Sequence, residues 1–254
     1  MNGFTAFFKK EWLEAIRNYR VLLLFSVSAL FGMMSPLTAK MMPDILANVK
    51  VEGMVLKIPN PTFTDAFVQF FNNFSQMGMA LLLLVFGGVL SQDLVRGTLI
   101  IPLSKGLSRH AVILAKYTAA LTLWTSSYAL AALIHYGYTL YLFRLVSVKH
   151  LFFSLFCLWL FGAFLLAVLL TASVIVRGSY GGLFVTVAGL GILLICQTIF
   201  RMERFNPLRL ASENMALLSD KAAFDPLLTI AWITAGFILA ALILAMAIFK
   251  KKSI

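Results

Sequence analysis

Side chains able to do chemistry are sparse in this chain, and their spacing excludes most reactions. His110, His135 and His150 stand 25 and 15 residues apart with no acidic or cysteine companion at ligand spacing. No metal site is therefore expected, and each histidine reads as an interfacial residue. Gly178-Ser179-Tyr180-Gly181 places a hydroxyl at the entrance of an apolar run, yet no histidine follows it to serve as a base. No G-x-x-x-x-G-K-[ST] segment occurs, so the chain does not cradle nucleotide phosphates by that route. Cys157 and Cys196 each lie inside an apolar run and read as packing residues. The ten acids all fall in polar stretches or at the edges of apolar ones, which removes the buried relays that ion-coupled carriers need. The expectation is a chain with no catalytic residue, no metal and no bound cofactor of its own.

The elements that must hold what remains are set by composition. Hydrophobic residues make up 61% of the 254 and charged ones 12%, far from the soluble average of roughly 45–50% and 25%. Windows of about 20 apolar residues, enough to cross a bilayer, fall at 21–39, 66–90, 111–133, 151–176, 180–200 and 227–249. The expected fold is all-α: one polytopic membrane domain over 1–254 with six transmembrane helices. Apolar character in the third window continues through His135, Tyr136 and Tyr138 to Phe143, as either a long helix or a re-entrant turn. Ahead of the first window, Phe4, Phe7, Phe8, Trp12, Ala15, Ile16 and Tyr19 recur at helical spacing against Lys9, Lys10, Glu14, Arg17 and Asn18. Residues 1–20 therefore read as an amphipathic interfacial helix, which either anchors the first span or docks a partner.

The net charge of +11 needs no nucleic acid, because basic residues beside apolar spans also orient a membrane protein. With both termini cytoplasmic, the inner side holds Lys9, Lys10, Arg17, Arg20, Arg96, Lys105, Arg109, Lys116, Arg177 and Lys250, Lys251, Lys252. Only three of the ten acids, Glu11, Glu14 and Asp93, share that side. This is the favoured topology.

The second and third spans are joined by Gln92-Asp93-Leu94-Val95-Arg96-Gly97-Thr98-Leu99, then Ser104-Lys105-Gly106-Leu107-Ser108-Arg109, and finally Lys116. This stretch, 91–110, resembles the cytoplasmic loop of permease subunits of type-2 ABC exporters. In that family an acid precedes Gly-Thr-Leu, a Leu-Leu-Ser-x-Pro-Val-Ser-Arg-like stretch follows, and a lysine opens the next span. Asp93, Gly97, Thr98, Leu99, Ser104, Ser108, Arg109 and Lys116 stand in register with it. Gly106 replaces the usual proline, Pro102 a leucine, and Asp93 the commoner glutamate. Lys10-Glu11, Ile58-Pro59-Asn60-Pro61 and Phe70-Phe71-Asn72-Asn73 add support, and short permeases of copper-site maturation and uncharacterised bacillar exporters are nearest in pattern. Gly97 permits a tight bend and Thr98 can cap a following helix, placing Arg96, Lys105 and Arg109 on a projection.

The resemblance implies a multi-pass protein of the bacterial cell membrane. It implies two copies of an ABC ATP-binding subunit, which bring ATP and magnesium, and a second permease, the same or similar. Coupling to the ATPase then falls to Asp93, Arg96, Gly97, Thr98, Ser104, Arg109 and Lys116. A translocation path between permeases draws on the second and fifth spans, whose polar residues include Asn72, Asn73, Gln76, Thr186, Gln197 and Thr198; interhelical hydrogen bonding is the alternative for each. Gly178 and Gly182, with Gly189 and Gly191, suggest close helix approach. Residues 201–225 form an extracellular loop that either caps the path or holds a surface helix pair. The competing class is a non-transport membrane scaffold or immunity protein that binds a partner; a P-loop ATPase in the neighbouring reading frame separates the two.

Overall fold

A computed structural model of the protein describes residues 3–48, 61–143, 148–176, 178–200, 205–218 and 224–252. Arg177, Ile58-Pro59-Asn60 and residues 201–204 and 219–223 of the 201–225 loop lie outside the described residues. The described chain is helical throughout: α1 (Gly3–Arg17), α2 (Arg20–Asn48), α3 (Phe63–Asn73), a π-helical turn (Phe74–Gly78), α4 (Met79–Phe86), α5 (Val89–Val95) and α6 (Ile100–Ser104) come first. They are followed by α7 (Arg109–Leu142), α8 (Leu151–Ile175), α9 (Gly181–Phe200), α10 (Arg209–Ser212), α11 (Asn214–Leu218) and α12 (Phe224–Lys251).

The protein is an all-α polytopic membrane protein. Among the described residues, five stretches are long and apolar enough to cross a bilayer: α2, α3 to α5 taken together, α8, α9 and α12. The sixth expected span lies within α7, a continuous 34-residue helix, so the open question at its far end resolves as a long helix rather than a re-entrant turn. α7 is less apolar than the other five because it carries Thr118, Thr122, Thr125, Ser126 and Ser127. Each of those hydroxyls donates to a carbonyl one turn back, as in Thr118 Oγ1 to Leu114 O at 2.8 Å and Thr125 Oγ1 to Leu121 O at 2.7 Å. A helix that satisfies its own polar groups in this way tolerates hydrocarbon.

α8 is the central helix, packed by α7, α9, α12 and the short helices α10 and α11. Lipid tails are as apolar as leucine, so burial drives helix association weakly and hydrogen bonds between helices fix the register. α7 is stitched to α8 by Tyr117 Oη to Ala163 O, Trp124 Nε1 to Trp159 O, Tyr128 Oη to Leu155 O and Trp159 Nε1 to Thr125 Oγ1, all between 3.0 and 3.3 Å. The second span starts at a capping box, in which Thr62 N donates to Asp65 Oδ2 at 2.8 Å, and buries the stripe Phe63, Phe67, Phe70, Phe71 and Phe74. His135 is wholly buried between the rings of Phe67 and Phe70, each centroid 4.5 Å away, which corrects its reading as an interfacial residue. His110 and His150 are exposed.

Segment 205–218 holds a pair of short helices, α10 and α11, one of the two expected arrangements, but the pair is packed into the bundle rather than lying on its surface. Asn206 is buried and its Nδ2 donates to Leu193 O at 2.9 Å, while Ser75 Oγ donates to Ala211 O at 3.0 Å. Leu193 lies seven residues before the end of α9, so the chain folds back about 10 Å alongside it. Leu210, Asn214 and Leu217 are buried against the bundle.

The glycines of the fifth span divide. Gly178 supplies a positive φ of 121° in the turn, and Gly189 and Gly191 face open space. Gly182 makes a close approach to backbone, because a Cβ there would lie 2.7 Å from the Ser173 Cα, while one at Gly181 would meet the Val176 side chain. Gly182→Val is expected to push α9 off α8 and lower stability by about 1–3 kcal/mol, with Gly189→Val nearly neutral. Thermal unfolding of both variants in detergent checks this.

Candidate functional site

At the end of the bundle that carries α1, helix spacing puts Phe7, Glu11 and Ala15 on one face, and all three are buried. Glu11 thereby faces the first turns of α7, where Lys116 has a fully buried side chain. Lys116 Nζ lies 2.9 and 3.0 Å from the two Glu11 carboxylate oxygens, 2.5 Å from Asp93 Oδ2 and 3.3 Å from Val89 O. Thr98 Oγ1 donates to the other Asp93 oxygen, Oδ1, at 2.6 Å. Around this centre Lys10 reaches Glu14 at 2.6 Å, Glu11 at 3.0 Å and Asp93 at 3.6 Å, and Arg20 reaches Glu14 at 3.8 Å. Three cations and three anions thus tie α1, α2, α5 and α7 together.

Glu11, Glu14 and Asp93 bring carboxylate oxygens within 4.8 Å of one another, near enough to share a cation. The cations among them are the ammonium groups of Lys10 and Lys116. Burial works against the Lys10 charge, but Glu11, Glu14 and Asp93 outweigh it and raise its pKa above the ordinary lysine value. The Phe7 ring lies 5.2 Å from Lys10 Nζ and 5.8 Å from Lys116 Nζ, adding cation–π attraction.

The loop leaving this lock is built from two successive glycine-closed helix ends. Gly97 (φ +66°) follows α5, and Thr98 N donates back to Asp93 O at 3.2 Å. Gly106 (φ +88°) follows α6, with Gly106 N donating to Leu103 O and Leu107 N to Pro102 O, both at 3.1 Å. Both are the pattern that a residue in the left-handed region permits after a helix. Ser108 then caps α7, accepting from Ala111 N at 3.2 Å.

Of the seven residues expected to couple, Asp93, Thr98 and Lys116 converge in the lock and Gly97 forms the turn beside it. Thr98 does not cap the following helix; its hydroxyl turns back to Asp93. Arg109 does not project either, because its Nη1 donates to Phe249 O at 2.7 Å and to the Lys250 and Lys252 carbonyls, neutralising the C-terminal end of α12. Arg96 and Ser104 are exposed, as are Val95, Ile100, Ile101 and Lys105. Sequence reasoning missed Glu11, Glu14, Lys10 and Arg20 as parts of one site. The signal was the four-residue step from Phe7 through Glu11 to Ala15.

The six residues expected along a path differ in their surroundings. Asn73 Nδ2 donates to Ser35 Oγ on α2 at 3.0 Å, while Thr186 is buried and bonds its own helix through Gly182 O. Asn72 and Gln197 are half-buried, and Gln76 and Thr198 are exposed. An apolar cavity of about 490 Å³ lies between α8, α9 and α12 under Phe205, Asn206 and Pro207, and none of the six lines it.

No protein-family model matches this chain. It is 25% identical over 163 residues to the uncharacterized transmembrane protein YxlG of Bacillus subtilis (strain 168), a match covering 63% of this chain and 63% of that relative. The likeness agrees with the membrane-spanning character of the helices.

Mechanically, the lock makes the loop and three helices one unit. The contacts run from α5 through Asp93 and Lys116 to α7, and from Lys116 through Glu11 to α1. The site's carboxylates and ammonium groups are held in ion pairs, and the Thr98 hydroxyl is held by Asp93.

Proposed function

We propose that this chain is the membrane-spanning permease subunit of an ATP-driven exporter, forming a translocation path with a second permease and coupled to two separate ABC ATP-binding subunits. Both termini and the α1 end face the cytoplasm in this reading. The observation that carries it is the exposed α5–α6 end, where Val95, Ile100 and Ile101 are 58%, 53% and 64% exposed beside Arg96 and Lys105. Apolar side chains left uncovered on a basic projection suit a groove in a soluble partner, and the lock behind them transmits what that partner does. The in-register Gly97-Thr98 loop supports the same reading.

The test starts from whether the neighbouring reading frame encodes a P-loop ATPase and, where it does, co-expresses that protein with this chain. Arg96→Glu with Ile100→Glu is expected to reduce co-purifying ATPase at least about tenfold, a loss typical of disrupted interface anchors, with membrane insertion unchanged. Undiminished co-purification and export would refute the coupling surface. Partner capture without nucleotide-dependent export would instead favour a scaffold.

A further inference from the structure

A cleft of about 530 Å³ runs between α1 and α6, walled by Phe7, Ile101, Pro102 and Leu107 and bearing Lys10 and Lys105. We propose that it binds one anionic phospholipid, with the headgroup phosphate held by Lys105, the cleft's cation that the ion lock does not use, and the upper acyl chain laid against Phe7, Ile101 and Leu107.

The charge arrangement selects this occupant. All three acids at this end of the bundle, Glu11, Glu14 and Asp93, are consumed in the ion lock by Lys10, Lys116 and Arg20. The exposed charges left at this end among the described residues are basic, and they include Lys9, Arg17, Arg96 and Lys105. Lys105 has no ion-pair partner among the described residues. A basic surface next to membrane-spanning helices attracts anionic lipid, by about one kilocalorie per mole for each lysine near the surface. The apolar walls, formed by Phe7, Pro102 and Leu107 as well as Ile101, separate this cleft from a simple anion site. The volume lies within the range of small-molecule sites, enough for a headgroup and the first part of a chain.

The purified chain, without any ATPase, is released from mixed phosphatidylcholine–phosphatidylglycerol micelles and its retained lipid read by native mass spectrometry. Phosphatidylglycerol is expected to be retained over phosphatidylcholine. Lys105→Gln is expected to cut that preference about fivefold, the equivalent of one lysine–anion contact, while Lys251→Gln, outside the cleft, leaves it intact. Excess glycerol phosphate should not displace the lipid. Equal retention of the two lipids, an equal effect of Lys251→Gln, or displacement by glycerol phosphate each overturns the proposal. None of these outcomes bears on ATPase co-purification, so this site and the exporter reading fail separately.

Discussion

Lys116→Met is expected to destabilise the protein by about 3–5 kcal/mol, the range for breaking a buried ion pair by removing one partner. The ammonium is the common neighbour of Glu11, 4% exposed, and Asp93, 7% exposed. Without it, Glu11 and Asp93 must share the half-exposed Lys10 with Glu14, and the surplus negative charge must repel, take up protons, or pull α1 away from α7 to reach water. The third outcome exposes Phe7 and loosens the α1–α7 contact. Thermal unfolding in detergent measures the loss, and protease susceptibility of residues 3–17 reports the detachment. Adding Glu11→Gln and Asp93→Asn to Lys116→Met should recover most of the stability, because no unpaired charge then remains. A Lys116→Met protein as stable as the parent would show that the network adds nothing.

The second large effect is local. Gly106→Pro restores the residue usual in the resembling family, yet it is expected to cost about 3 kcal/mol or more at this position. Proline holds φ near −65°, whereas this backbone sits at +88°, and its ring removes the N–H that Gly106 donates to Leu103 O. The helix end after α6 must then open and carry Ser108 out of its cap on α7. Gly106→Ala is the control. A Cβ there meets nothing within 4 Å, so alanine bears only the left-handed backbone penalty of about 1 kcal/mol. Limited proteolysis across 96–109 should rank glycine, alanine and proline in rising susceptibility. Equal cleavage of all three would remove the second glycine cap from the account. The departure from the family pattern is thus part of a different turn: Pro102 supplies the carbonyl that Leu107 N reaches, and Gly106 the conformation that lets it.

The spans were legible because apolarity over 20 residues is a local property. The lock was only half legible. Asp93 and Lys116 stood out through the loop pattern, but Glu11 comes 105 residues before Lys116, and no local rule joins them. α1 read as polar on one side and apolar on the other, and a charge on its apolar side is visible only once its partner is known. Within 201–225 a helix pair was among the expectations, and α10 and α11 are such a pair, but their burial was not legible. That burial depends on two contacts, Asn206 to α9 and Ser75 to Ala211, that link distant parts of the chain. His135 was misread for the same reason: its neighbours Phe67 and Phe70 come from another span.

The 34 residues of α7 and the 20 of α9 have unequal reach. At 1.5 Å per residue they measure about 51 Å and about 30 Å, against a hydrocarbon thickness of about 30 Å. One rod overshoots the bilayer while the other only just bridges it. A thicker membrane leaves α7 comfortable and stretches the slack out of α9, so hydrophobic mismatch must be felt first on the α9 flank of the molecule.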